Sequence, residues 1–283
     1  MKKKNIGDWK LIGSSIRGAS HVRLKMPNQD AIKWKTINEN GLYVMTVADG
    51  HGSRVCFRSH IGAKMAVEIM NRLIEHGYQL LDNGTEPNIF GDNIASEFMR
   101  LWSMYVKKHL RENPFLDKEV HGLDATKRKI LGKNAYIAYG STLISVFVYN
   151  DQVYSWQLGD GDVLSVAPDG QVEFLIPKDK RFIGNETTST CSPNAVKEFK
   201  FKHLLMDHEN ENWMFLLATD GYSNSFKTQR GFKQAGKDYY DMILEDGLEE
   251  VNQNLEAWLN ETSQLGSGDD ISVGIMYLTK SNA

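Results

Sequence analysis

Three apolar stretches of this chain meet acidic residues at their ends. Tyr43-Val44-Met45-Thr46-Val47-Ala48 is a β-branched run that closes in Asp49-Gly50-His51-Gly52. Trp213-Met214-Phe215-Leu216-Leu217-Ala218 closes the same way, in Thr219-Asp220-Gly221. The third is inverted: Gly266-Ser267-Gly268-Asp269-Asp270 opens Ile271-Ser272-Val273-Gly274-Ile275-Met276-Tyr277. Short apolar runs bounded by turn residues predict buried strands. In an antiparallel pair, the end of one strand lies beside the start of its neighbour. Two strands ending in Asp and one opening with Asp therefore set three carboxylates on one rim, if the three are neighbours.

The same patterning predicts strands at Trp9 to Ile16 and Ala31 to Lys35. A meander follows over Ser141 to Tyr149, Gln152 to Leu158, Val163 to Val166 and Gln171 to Ile176, with a turn at Pro168-Asp169-Gly170. Ile61, Met65, Ile69 and Leu73 recur every four residues, as on a helix opened by Ser53 as N-cap. Phe90 to Arg111 is a second such helix, stopped by Pro114. Lys118 to Lys133 is a charged helix or insert. A short helix runs from Gly221 to Phe226, and Tyr239 to Trp258 is one further helix. Arg17 to Asp30 reads as a basic loop, and Pro177 to Asn194 as a long polar loop beside the site. Asp160 and Asp162 read as turn carboxylates capping their own backbone. Antiparallel strands with amphipathic helices outside them predict an α+β fold of two packed sheets with helices over both outer faces.

Length and charge narrow the function. At 283 residues and 41% hydrophobic content the chain supports one large core, and motifs near both ends building one site favour a single domain over 1–283. A net charge of −3 gives no basic field for nucleic acid. No apolar run approaches a membrane span, and Asn5-Ile6-Gly7-Asp8 after Met1-Lys2-Lys3-Lys4 is not a signal-peptide core. Cys56 and Cys191 are too few for a disulfide framework, so a cytoplasmic, soluble, monomeric protein is expected. Clustered carboxylates repel unless cations sit between them, and oxygen-only ligation points to Mg²⁺ or Mn²⁺. Cys56 lacks an Arg six residues on, and no Gly-x-Ser-x-Gly elbow or Gly-x₄-Gly-Lys-Ser/Thr loop occurs. The metal route is therefore the simplest chemistry.

The motifs Asp49-Gly50-His51-Gly52, Gly140-Ser141-Thr142, Gly159-Asp160-Gly161-Asp162, Thr219-Asp220-Gly221 and Asp269-Asp270-Ile271-Ser272-Val273 stand in the order used by the metal-dependent protein phosphatases. The chain resembles that protein phosphatase 2C-like family from about residue 13 to 278, and Asn28-Gln29-Asp30 looks like its bacterial-type branch. The resemblance implies a four-layer α-β-β-α sandwich of two antiparallel sheets flanked by helices, with two Mg²⁺ or Mn²⁺ ions at one end. It implies hydrolysis of phosphoserine or phosphothreonine in a protein substrate by direct attack of metal-activated water. Asp49 would bridge the ions, with the Gly50 carbonyl, Asp220 and Asp269 completing the ligand set; Asp270 is the alternative to Asp269. Asp30 would act from the outer shell, and His51 as general acid. Arg23 or Lys25 would bind the phosphate, since Lys25 holds the position where the family has Arg. Gln29 in place of Glu removes a charge from the outer shell. The family's third-ion carboxylates are replaced by Ile137-Ala138-Tyr139 and Asn224, so a third ion is expected to bind weakly or not at all. Two other readings use the same residues: a catalytically weak binding module on the phosphatase fold, and a small-molecule phosphomonoesterase.

Overall fold

The computed structural model describes residues 8–37, 41–178, 187–206 and 212–279. The start of the chain and residues 179–186 of the polar loop expected over Pro177 to Asn194 thus lie outside the described residues.

In chain order, β1 (Trp9–Ile16) leads through α1 (Ala19–Leu24) to β2 (Ala31–Ile37) and β3 (Leu42–Ala48). Helices α2 (Ser59–Gly77), α3 (Gln79–Asp82), α4 (Pro87–Glu112), α5 (Asp117–Val120) and α6 (Ala125–Lys133) follow. The meander is β4 (Leu143–Tyr149), β5 (Gln152–Leu158), β6 (Asp162–Val166) and β7 (Val172–Phe174). Then come α7 (Ala195–Glu198), β8 (Lys200–Leu205), β9 (Met214–Ala218), α8 (Asp220–Ser223), α9 (Gln229–Asp246), α10 (Leu248–Leu265) and β10 (Ile271–Leu278).

The strands form two five-stranded sheets, ordered β1-β10-β9-β6-β7 and β2-β3-β4-β5-β8, and every pairing is antiparallel. The period of two explains the layers. Leu42, Val44 and Ala48 of β3 pack with residues of α2 and α4. Tyr43, Met45 and Val47 point the other way, into a core shared with Phe215, Leu217 and Met276 of the opposing sheet. On β9, Met214, Leu216 and Ala218 pack with residues of α9 and α10. Both faces of these strands are covered, which is why their sequences are continuous apolar runs rather than alternating ones. The fold is the four-layer sandwich that the motifs implied. Among the described residues no helix is long and apolar enough to cross a membrane.

Local structure departs from the sequence pattern at four places. The basic loop contains α1, closed by Lys25 in the left-handed conformation (φ 55°). Ser53 makes no capping bond; a 3₁₀ turn over Arg54–Cys56 intervenes, and α2 starts after Arg58. The expected single helix from Tyr239 to Trp258 is two, α9 and α10, broken at Gly247. Gly247 has φ 91°, a value at which a side chain is strained, so the apolar periodicity continues while the helix axis does not. Finally, β8 was not expected; Lys200, Lys202 and His203 give it a polar look, as suits an edge strand paired with β5 alone.

Candidate active site

The rim is built from two antiparallel pairs that face each other. Asp30 precedes β2 and Asp49 follows β3, next to the Ala31–Ala48 pair. Asp220 follows β9 and Asp269 stands just before β10, next to the Ala218–Val273 pair. The strand-end argument therefore holds within each sheet. It does not hold for three strands side by side, because β3 belongs to the other sheet. Between the pairs opens a cleft of about 970 Å³, whose walls include Asp49, Gly50, His51, Asp160, Asp220 and Asp269.

Backbone bonds fix the Asp49 turn. Asp49 N–H donates to Thr142 Oγ1 at 3.0 Å, and Thr142 N–H returns to the Asp49 carbonyl at 2.8 Å. Gly50 N–H donates to the Gln29 carbonyl at 3.1 Å, and His51 N–H to the Gly140 carbonyl at 3.2 Å. A Cβ on Gly50 would stand 2.6 Å from the Gln29 carbonyl oxygen, so only glycine admits this approach. Gln29 is a donor here: its Nε2 reaches Ser59 Oγ at 2.6 Å and the His51 carbonyl at 3.3 Å. An ionised Glu could donate neither bond, and against the His51 carbonyl it would have no partner. The Gly-Ser-Thr motif thus positions Asp49, and Gln29 secures the Gly-His turn.

Burial sets the state of the carboxylates. Asp30, 3% exposed, accepts from Thr219 Oγ1 at 2.7 Å on one oxygen, while Oδ1 is buried without a partner. Burial first, then Asp270 and Asp220, push its pKa far above the usual range. Burial, then Asp30, Asp220 and Asp269, do the same to Asp49. Asp220 is pushed up to about 6 by burial and by Asp160, while Asn224 Nδ2 donates to its Oδ2 at 2.9 Å. Asn224, at the position where the family carries a third-ion acid, thus offers Asp220 a donor instead of a charge. Burial also lowers the His51 pKa, against an opposing pull from Asp160. The Cys56 thiol on the cleft wall is pushed up to about 12 by burial, which leaves it a poor nucleophile.

Asp269 and Asp270 separate clearly. Asp269 has a side chain 54% exposed on the cleft. Asp270 is 3% exposed and turned away: its oxygens accept from Gly18 N–H (2.6 Å), Gln29 N–H (2.6 Å) and His21 Nδ1 (2.7 Å). Neither Arg23 nor Lys25 lines the cleft. Arg23 donates to Ser20 Oγ at 2.8 Å, and Lys25 is the exposed residue that ends α1. Lys178 does line it, with Nζ 2.8 Å from Asp162 Oδ2. Asp162, 2% exposed, is thus the base of an ion pair, and among the described residues no backbone N–H of the turn bonds its side chain or that of Asp160. Lys178 and the donor role of Gln29 carried no sequence signal, and His21 read only as one basic residue of the Arg17 to Asp30 loop, since each depends on a partner elsewhere in the chain.

The protein phosphatase 2C family model matches residues 17–260. This chain belongs to the protein phosphatase 2C family. By class it is therefore a protein phosphatase, a hydrolase. No curated protein matches it by sequence. Solved structures share its fold at low identity. PppA of Pseudomonas aeruginosa, a key regulatory component of T6SS, is 16% identical with a TM-score of 0.59, over 97% of this chain and 99% of that one. The catalytic domain of the serine/threonine protein phosphatase PstP, solved with two manganese ions, is 14% identical with a TM-score of 0.58, over 96% and 99%. The S. agalactiae serine/threonine phosphatase is 18% identical with a TM-score of 0.57, over 96% and 100%.

Proposed function

We propose that this phosphatase hydrolyses phosphoserine and phosphothreonine in protein substrates with two Mg²⁺ or Mn²⁺ ions, and that Asp49, the Gly50 carbonyl, Asp220 and Asp269 hold those ions. One observation carries the reading: Asp49, Asp220 and Asp269, from three strand ends, line one cleft, and burial and mutual repulsion raise the pKa of Asp49 and Asp220. The residues fit hard divalent ions, because the donor set is all oxygen and Asp30 Oδ1 is a buried acceptor with no partner. When bound, such ions supply the positive charge that makes a water nucleophilic near neutral pH. Asp30, tied on one oxygen and bare on the other, orients groups in the outer shell. His51 stands on the same wall and gives its proton to the departing seryl or threonyl oxygen. Its lowered pKa keeps most of it neutral at pH 7, so this step gains as pH falls.

Among the described residues Lys178 is the ammonium on the cleft wall, and we assign it the phosphate contact expected of Arg23 or Lys25. Its Nζ is ion-paired with Asp162 at 2.8 Å. We also read residues 1–283 as one catalytic domain, since Trp9 pairs with Leu278 and so ties both ends into one sheet. Two free thiols among the described residues suit a reducing, cytoplasmic setting.

The test is hydrolysis of a phosphoserine peptide, of p-nitrophenyl phosphate and of a panel of phosphorylated metabolites by purified protein with Mn²⁺ and with EDTA. Ion-dependent turnover of the peptide is expected. Binding without turnover would favour the binding module, and faster turnover of a metabolite the phosphomonoesterase.

A further inference from the structure

The charged insert expected over Lys118 to Lys133 folds as α5 and α6, and the phosphatase chemistry uses neither. α6 carries Lys127, Arg128, Lys129 and Lys133 and no acidic residue, in a chain whose net charge is −3. Lys127 is paired with the N-cap Asp124, Nζ to Oδ2 at 2.9 Å. Arg128 donates to backbone carbonyls, of Leu123 at 2.9 Å and of His121 at 3.2 Å, and so keeps its charge uncompensated. Lys129 and Lys133 are exposed, and no carboxylate of a described residue pairs with either. Leu131 is the buried residue of α6. Lys129 and Lys133 stand two positions either side of it, about 200° around the helix, and therefore share the solvent face. They are also four residues apart, where like charges on a helix repel. Lys133, in the last turn, complements the helix dipole, and Lys129 has no such return.

This face is joined to the cleft wall at both ends. Before α6, the Gly122 carbonyl accepts from Arg54 Nη1 at 3.3 Å, and Arg54 stands between Ser53 and Cys56, two residues of the cleft wall. Arg54 is exposed and adds a cation with no carboxylate partner among the described residues. After α6, Asn134 leads through a 3₁₀ turn (Ala135–Tyr139) to Gly140, whose carbonyl accepts the His51 N–H. A polypeptide held on α6 thus lies on the flank of the cleft.

We propose that the solvent face of α6, with Arg54 beside it, docks an acidic stretch of the phosphoprotein substrate while the phosphorylated residue enters the cleft. The inference deepens the phosphatase reading and rests on it. Charge complementarity sets the occupant: exposed, unpaired cations speed the encounter with an acidic chain and fix its register. An anionic bilayer carries the same charge. The join to the cleft favours a substrate chain, because only the substrate must occupy both places at once.

The experiment compares phosphoserine peptides of one length that carry a run of aspartates, or of asparagines, on the N-terminal or the C-terminal side of the phosphoserine. kcat and KM are measured on the full chain with Mn²⁺, in wild type and in the double variant Lys129→Gln, Lys133→Gln. Fluorescence anisotropy of the labelled peptides reads binding without turnover. On one side, aspartates are expected to raise kcat/KM about 3–10-fold over asparagines, through KM and with kcat nearly unchanged, as the usual size of two exposed ion pairs implies. Salt at about 1 M should remove the advantage, since the screening length there is about 3 Å. The double variant should lose the advantage and keep its rate on p-nitrophenyl phosphate. Equal kcat/KM for aspartate and asparagine peptides in wild type overturns the proposal, as does an advantage that survives in the double variant. Sedimentation with phosphatidylserine vesicles and no preference among peptides overturns it in favour of a membrane. Should the double variant not fold, Lys129→Gln alone decides: a reduced advantage supports the proposal, and an unchanged one overturns it. Preferential binding of the aspartate peptide, lost in the double variant, without turnover of any peptide would sink the phosphatase reading and leave the docking face. Turnover without a preference would sink this inference alone.

Discussion

Thr219 donates its hydroxyl hydrogen to Asp30 across the gap between the two sheets, at 2.7 Å. Its oxygen in turn accepts the Ser272 N–H at 2.9 Å. The hydroxyl has one hydrogen, and the Ser272 bond leaves it free for the carboxylate. Thr219→Val keeps the shape and removes that hydrogen. The lost bond to a buried charge is worth about 1.5–3 kcal/mol. The variant should melt lower than wild type in Mn²⁺ by a matching amount and bind Mn²⁺ more weakly. Unchanged melting and unchanged titration would show that the contact contributes nothing.

Raised carboxylate pKa values make the ion-free protein sensitive to pH. Asp30, Asp49 and Asp220 hold protons more tightly folded than unfolded, so folded protein binds more protons and stability falls as pH rises. The fall begins near the ordinary carboxylate value of about 4. For Asp220 it runs through its raised value of about 6. Thermal melts in EDTA should therefore drop between about pH 5 and pH 7. Excess Mn²⁺ should cancel the drop, and Asp49→Asn should shrink it in EDTA while abolishing activity. A flat or rising profile in EDTA would contradict the charge assignment.

His51 separates leaving-group chemistry from ion chemistry. p-Nitrophenolate departs without a proton, whereas a seryl alkoxide needs one. His51→Gln should cost about 10²–10⁴-fold on a phosphoserine peptide and much less on the nitrophenyl ester. The Mn²⁺ concentration for half-maximal activity should hardly move. Equal losses on both substrates would leave His51 a structural residue of its turn.

The two adjacent aspartates should fail in different ways. Asp269→Asn should fold normally and lose Mn²⁺ affinity, because its side chain is half in solvent on the cleft. Asp270→Asn should destabilise the fold by about 2–4 kcal/mol, because a buried charge that accepts two backbone donors and an imidazole is replaced by a neutral amide. Denaturant melts and Mn²⁺ titrations of both variants check this. A stable Asp270→Asn with lost affinity would reverse the assignment.

The architecture was legible where burial on both faces leaves no ambiguity. β3, β9 and β10 are continuous apolar runs, and Asp49, Asp220 and Asp269 stand where each run leaves the core. What escaped depends on distant partners. His21 is buried only because Asp270, 249 residues on, waits for it. Sequence alone left the choice between Asp269 and Asp270 open; the backbone donors of Gly18 and Gln29 occupy Asp270, and Asp269 is the one on the cleft. Among Arg23, Lys25 and Lys178, only Lys178 lines the cleft; the other two lie on or end α1, a six-residue helix too short to show periodicity.

Asp30 and Asp49 ride on one sheet, Asp220 and Asp269 on the other, and the ions would sit between them like a rivet through two plates. A shift of one plate along the other would take the site apart without breaking a single strand ladder. Ion loading and the seam where Met45 and Val47 meet Phe215 and Leu217 are then one mechanical joint. Amide hydrogen exchange along that seam should slow when the ions bind, even in residues that never touch the cleft.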